Sequence, residues 1–386
     1  MSPLLLRNLL RLTYGIPRRS EGVFNPALIR KVLLIRRNGI GDMICALPLI
    51  RNIRAAWPHV QLDILASEKN ACVLDQPGLV NHIFLYHRGR GLFRNHYLNL
   101  PRLVRPIREQ NYDLVIAIKG GFSSLLAVVA HATQIPWRLG YVPSRGHPLD
   151  FCFNLKIELP REREHQVESC LRFLEPLGIP KTSCDLSLKL LPEHEQYADQ
   201  VLGQTSLVKG GFVLLNASSG RHESQWLAGS IAQTAVELER RFGLPMLLCG
   251  LPSDRELLRE AQHQAPSHIR GTIESPGIHH FAALVSRSRF LMCGDGGAMH
   301  VAAAMKTPTF VLFSATDPAI WRPYGVPFAY VQRGRFVADI AASEVIEKIE
   351  IWLPTLSGNL NLELPSRDKR ESSKIPSRRK SARHKK

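Results

Sequence analysis

Residues 289–325 read RFLMCGDGGAMHVAAAMKTPTFVLFSATDPAIWRPYG. Residues 290–293 are a short apolar run, the pattern of a buried strand. Gly294, Asp295, Gly296 and Gly297 are turn residues. Residues 298–305 are alanine-rich and favour a helix. Thr307-Pro308 stops that helix, and residues 310–313 form a second apolar run. Strand, glycine loop, helix and strand within so few residues make a βαβ unit, whose crossover requires a parallel sheet. The loop lets backbone approach a ligand, and the unpaired amides of the first helical turn suit a phosphate. The plainer alternative is that Asp295 caps the helix and the glycines turn the chain. Both readings stand at this point.

The same grammar recurs near the start. Residues 31–36, KVLLIR, are a strand, and residues 37–42, RNGIGD, are a glycine loop. Residues 43–57 carry apolar side chains at 43, 44, 47, 50, 53 and 57, which is helical spacing. Pro58 ends that helix and residues 60–65 make the next strand. A dinucleotide site fits poorly. Gly39 and Gly41 are two of the three glycines required, but Ile44 stands at the third position, and Asp63 lies inside the second strand. Asp42 would also repel a pyrophosphate. A carboxylate at the carboxyl end of the first strand can cap the helix or serve as a general base facing a cleft.

A strand or turn is expected at 81–86, a strand at 112–118 and a strand-loop piece at 138–141, with helices at 101–110, 125–132 and 161–178. The loops collected at one sheet edge would bring Arg88, Arg90, Arg94 and Lys119 beside Asp42 as a basic rim, unless they are ordinary solvated residues. Residues 179–191 look irregular, a passage between halves. Helix 193–207 and strand 212–216 open the second half. The polar loop that follows, with Ser218, Ser219, Gly220 and Arg221, sits where a nucleotide could bind. Helix 227–242, strand 246–249, helix 278–286 and a last helix at 340–352 complete it. The fold class is therefore α/β: two facing Rossmann-like domains, parallel sheets flanked by helices, with an inter-domain cleft. The domain limits read as a basic amphipathic segment at 1–24, a first domain at 25–185, a second at 186–354, and a basic, disordered tail at 355–386.

The chain has 386 residues and a formal net charge of +17. Residues 366–386 hold ten Lys/Arg against two acidic residues, and residues 1–31 hold six against one. The body between them is nearly balanced. With no aromatic-basic interleaving, this argues against a nucleic-acid-binding protein. The seven Cys are odd in number and form no CxxC pair, so reduced thiols are expected, with neither a disulfide framework nor a zinc site. Leucines at 4, 5, 6, 9, 10 and 12 interleaved with Arg7 and Arg11 suggest a short amphipathic helix, able to lie on an anionic membrane or to pack on its own domain.

Two segments together resemble glycosyltransferase family nine, the ADP-heptose:lipopolysaccharide heptosyltransferases: KVLLIRRNGIGDMICALPLIRNIRAAWP and CGDGGAMHVAAAMKTPTFVLFSATDPAIWRPYG. The family's aspartate after the first strand falls on Asp42. Its D-[ST]-G-x-x-H-x-A-x-A signature falls on Asp295 to Ala304. The resemblance implies a GT-B architecture, an ADP-sugar donor held mainly by the second domain, and transfer with inversion; no carboxylate pair with metal-ligand character stands out, so no obligatory cofactor or metal is expected. It implies Asp42 as catalytic base. Donor contacts are then expected from Ser218, Ser219, Gly220, Arg221, Asp295, Gly296, Gly297, Met299 and His300, with His300 and the helix amides stabilising the leaving diphosphate. Acceptor contacts are expected from Gly41, Arg88, Arg90, Arg94 and Lys119. The implied partners are a nucleotide-sugar, an acidic glycolipid and, through the basic ends, the inner face of the inner membrane. Two departures stand out. Gly296 occupies the Ser/Thr position of the signature, and Ser224 occupies that of a lysine thought to face the donor phosphates. Arg221 or His222 could replace that lysine, or the donor differs. A nucleotide-sugar epimerase and a catalytically impaired sugar-binding member are the alternatives.

Overall fold

The computed structural model describes residues 3–18, 22–86, 100–160, 162–218 and 220–357. Apolar runs become strands β1 (Lys31–Arg36), β2 (Gln61–Ser67), β3 (His82–Tyr86), β4 (Leu114–Ala117), β5 (Trp137–Val142) and β6 (Leu155–Glu158) in the first half. The second half supplies β7 (Val213–Asn216), β8 (Met246–Gly250), β9 (Ile269–Glu274), β10 (Phe290–Gly294), β11 (Thr309–Phe313) and β12 (Phe328–Gln332). The two six-stranded sheets run β3-β2-β1-β4-β5-β6 and β9-β8-β7-β10-β11-β12, with every pairing parallel. Each half thus has the same winding, which reverses between its first and fourth strands. Ligands of such sheets bind outside the carboxyl ends at that reversal.

Central strands are buried on both faces by helices, so they read as continuous apolar runs. β1, β4 and β10 are almost wholly buried. The strands missed from sequence, β6, β9 and β12, are edge strands. Each has only one fully buried residue, and β6 and β9 also carry charges, which weakens the apolar pattern. The helix expected at 43–57 is two pieces, Ile40–Ile44 and Leu47–Ala56. Pro48 lacks an N–H and sits in the first turn of the second piece, where none is needed. The helix expected at 161–178 starts only at Gln166, capped by His165, and tightens to a 3-10 turn over Arg172–Leu177. The last helix is Ala342–Ser357, with Ile346, Ile349, Leu353 and Leu356 buried against the second half. All seven cysteines are free thiols.

A buried cluster joins the lobes. It contains Met43, Ile44 and Cys45 from the first and Met299, Val301 and Ala302 from the second. Across the same seam Arg163 pairs with Asp317 at 2.5 Å, and His165 Nε2 lies 2.8 Å from the Arg322 carbonyl. The amino-terminal helix Pro3–Tyr14 packs on its own lobe through Leu10 and Tyr14, against the helix Ser124–Ala132. The expected basic residues Arg88, Arg90 and Arg94, together with Ser219 and the tail from 358, lie outside the described residues.

Candidate active site

Two short helices meet tip to tip at the reversal points. Ile40–Ile44 follows β1 and Gly297–Ala304 follows β10. Their approach needs glycine at 41, because a Cβ there would lie 2.3 Å from His300 Cδ2. A Cβ at Gly297 would lie 3.3 Å from that of Ile40. Between and beside these tips opens a cleft of about 440 Å³. Gly39, Ile40, Gly41 and Asp42 line it from the first lobe. Gly220, Arg221, Asp295, Gly296, Gly297, Met299, His300, Thr316 and Trp321 line it from the second.

Asp42 is the third residue of its helix. Its Oδ2 accepts from the Gly39 N–H at 3.3 Å, closing the helix start. Its Oδ1 accepts from Arg36 Nη2 at 2.9 Å and Asn38 Nδ2 at 3.4 Å. Arg36 is only 1% exposed and also donates to the Asp42 carbonyl and the Ile118 carbonyl, both at 3.0 Å. A buried guanidinium so fully bonded is a fixed clamp. The cap and cleft readings of Asp42 are therefore compatible: the carboxylate is held from behind and remains 21% exposed on the cleft wall. Lys119 follows Ile118 directly, so it stands on the neighbouring loop of the same lobe.

Asp295 corrects the helix-cap expectation. The cap position belongs to Gly296, which has no side chain to bond. The Asp295 carboxylate is buried and turned to the second lobe. Ser224 Oγ donates to its Oδ1 at 2.5 Å, and Ser314 Oγ lies 3.0 and 2.9 Å from its two oxygens. Thr316 donates to Oδ2, and Arg221 Nη2 pairs with Oδ2 at 2.9 Å. Four donors fill the capacity of a carboxylate. Asp295 is thus the anchor that sets Arg221 in the cleft wall. Ser218 does not line the cleft. Its hydroxyl donates to Asp254 Oδ2 at 2.5 Å and accepts from the Leu251 N–H at 2.8 Å. Gly296 is exposed, and a Cβ added there meets nothing within 4 Å, so its departure from Ser/Thr leaves open space.

His300 is buried, with Nδ1 3.5 Å from Cys45 Sγ. Burial first, then His165 and Arg36, push its pKa down to about 3. The expected counter-charge for a diphosphate is therefore a neutral imidazole, a hydrogen-bonding group only. Its effect on stability has a definite sign. Below the ordinary value of 6.5 the unfolded chain gains a proton that the folded His300 refuses. Its contribution is whole above that value and is lost as pH falls toward 3. Thermal melts between about pH 7 and pH 4 should fall less steeply in His300→Asn than in the wild type, by up to ~1.4 kcal/mol per pH unit. Parallel slopes would contradict the assignment.

Sequence reading missed Arg36, Ser314, Thr316 and Trp321. Only Arg36 left a signal, as the charge that ends an otherwise apolar strand. Among the described residues no three His, Cys, Asp or Glu side chains converge as a metal shell.

Residues 100–335, more than half of the chain, match the family model described as Glycosyltransferase family 9 (heptosyltransferase). Lipopolysaccharide heptosyltransferase 3 of Escherichia coli K12 is 25% identical over 292 residues, 74% of this chain and 82% of that protein. Among solved structures, the family 9 glycosyl transferase of Veillonella parvula superposes with a TM-score of 0.70 at 19% identity, covering 84% of this chain and 97% of that one. The E. coli heptosyltransferase WaaC with ADP gives 0.64 at 18% identity, covering 83% and 97%.

Proposed function

The chain belongs to glycosyltransferase family 9, and we propose that it moves a sugar, heptose by the family's precedent, from an ADP-sugar to a lipopolysaccharide-core or related glycan. Family membership sets aside the epimerase reading. The observation that carries the proposal is the cleft itself, where Asp42 and the amide tip of Gly297–Ala304 line one space from opposite lobes.

An acceptor hydroxyl gives its proton to the Asp42 carboxylate as its oxygen bonds to the anomeric carbon. The bond from that carbon to the diphosphate oxygen breaks on the far face, which inverts the configuration. ADP leaves with the electron pair. Its growing charge is met by the first-turn amides near Gly296 and Gly297 and by Arg221. The buried Asp295 needs one cation beside it. Where the family's lysine is replaced by Ser224, Arg221 supplies that cation. Gly220, Met299 and the neutral His300 shape the donor side, while Gly41 and Lys119 belong to the acceptor side. WaaC, solved with ADP, supports an adenine nucleotide here.

A thermal-shift screen of nucleotides tests the donor class. ADP and ADP-sugars should raise the melting temperature at concentrations where UDP and GDP do not; selective stabilisation by UDP would overturn it. The acceptor is read as lipid-borne at the inner face of the inner membrane, with the basic ends drawn to anionic lipid. No helix among the described residues is long and apolar enough to cross a membrane.

A further inference from the structure

Fifteen large hydrophobic residues are exposed among the described residues, and seven of them lie between positions 4 and 28. That concentration has a geometric source. In the helix Pro3–Tyr14, Leu6, Leu10 and Tyr14 follow i, i+4, i+8 spacing and pack on the first lobe. Leu5, Leu9 and Leu12 follow i, i+4, i+7 spacing on another side and are 60%, 50% and 87% exposed. The helix thus has two apolar faces, one buried and one bare. Arg7 and Arg11 stand between them, and Ile16, just beyond the helix end, is also 65% exposed.

The helix is fixed on its lobe. Arg108 Nη2 and Gln134 Nε2 both donate to the Tyr14 carbonyl, at 2.6 and 2.8 Å. The Arg18 N–H donates to the Gln134 carbonyl at 3.0 Å. The bare face is therefore held in one orientation relative to the cleft.

We propose that this outer face is an insertion surface for an anionic bilayer, and that its hold on the membrane is chiefly apolar. The charge pattern favours lipid over a protein partner. The helix carries Arg7 and Arg11 and no acidic residue, which suits a field of anionic headgroups, and the leucine stripe beside them suits the acyl boundary beneath. The inference goes beyond the proposed activity, which does not depend on it. It replaces a purely electrostatic attachment of the chain's ends with a built, oriented one.

The test is vesicle flotation of the full-length protein with phosphatidylglycerol–phosphatidylethanolamine vesicles, at low salt and at ~1 M salt, where the Debye length is about 3 Å. Wild type is compared with Leu9→Gln/Leu12→Gln and with a chain lacking 366–386. Glutamine is a good helix former, and the substitutions leave Leu10 and Tyr14 in place. Wild type and the tail deletion should still float at high salt. The double variant should lose about tenfold or more of its vesicle-bound fraction there, with unchanged transfer to a water-soluble acceptor. High-salt flotation of the double variant equal to wild type would overturn the proposal. So would a lipid-free dimer of wild type that the double variant abolishes, since a second copy would then own the face. Loss of transfer to the soluble acceptor by wild type would instead strike at the activity.

Discussion

Asp42→Ala is expected to lose at least ~100-fold in turnover, the lower range for a general base, while ADP-sugar affinity stays near that of the wild type. The split follows from geometry. Asp42 lines the first-lobe wall, and its bonds run to Arg36, Asn38 and Gly39 of its own lobe. Donor groups lie across the cleft. Alanine also strands the buried Arg36, so part of its effect could be structural. Asp42→Asn separates the two. An amide oxygen still accepts from Arg36, yet the side chain can no longer take a proton. It should keep the donor affinity and lose turnover as alanine does, with a smaller fall in melting temperature than alanine. One oxygen still accepts, while the second acceptor and the negative charge beside Arg36 are gone. Near-normal transfer by Asp42→Asn would end the assignment.

Arg221→Ala should cost about 10²–10³ in kcat/KM, as for loss of one charged stabiliser of a leaving group, and here donor affinity should fall as well. The side chain is half in solvent while Asp295 is fully buried, so the ion pair itself is worth less than a wholly buried one. Still, its removal leaves Asp295 with hydroxyl partners alone, and a stability loss of about 1–3 kcal/mol is expected. The family's own arrangement offers a rescue. Ser224→Lys in the Arg221→Ala background returns a cation to Asp295, because Ser224 Oγ already sits 2.5 Å from that carboxylate. Recovery of donor affinity in the double variant, measured by calorimetry, supports a shared charge site. No recovery, or unchanged affinity in Arg221→Ala, counts against it.

How much of this could be read from the chain depends on range. The two reversal-point units were legible because strands buried on both faces are apolar throughout, and β1 and β10 are followed at once by glycine loops. The edge strands β6, β9 and β12 were not, since one side of each faces solvent or loop. Asp42, Arg221 and His300 were expected from sequence and line the cleft, but their bonding and charge could not be read there. The acid–base character of His300 is set by burial and by His165 and Arg36, far off in sequence. Asp295 read as a cap because caps are local. Its actual partners Ser224 and Arg221 stand about seventy residues earlier, beyond any spacing rule. The need for glycine at 41 comes from a histidine in the other lobe. Ser218 misled for the same reason: its loop position is right, but Asp254 claims the hydroxyl.

In the proposed reaction the two lobes together pass a sugar from ADP to an acceptor hydroxyl under Asp42. The most direct measurement incubates the protein with ADP-heptose and a truncated lipopolysaccharide core, then follows acceptor mass and ADP release together, beside Asp42→Asn. Wild type should gain one sugar on the acceptor per ADP released, and the variant should show neither. ADP released with no gain in acceptor mass, or equal gain by both proteins, would contradict it.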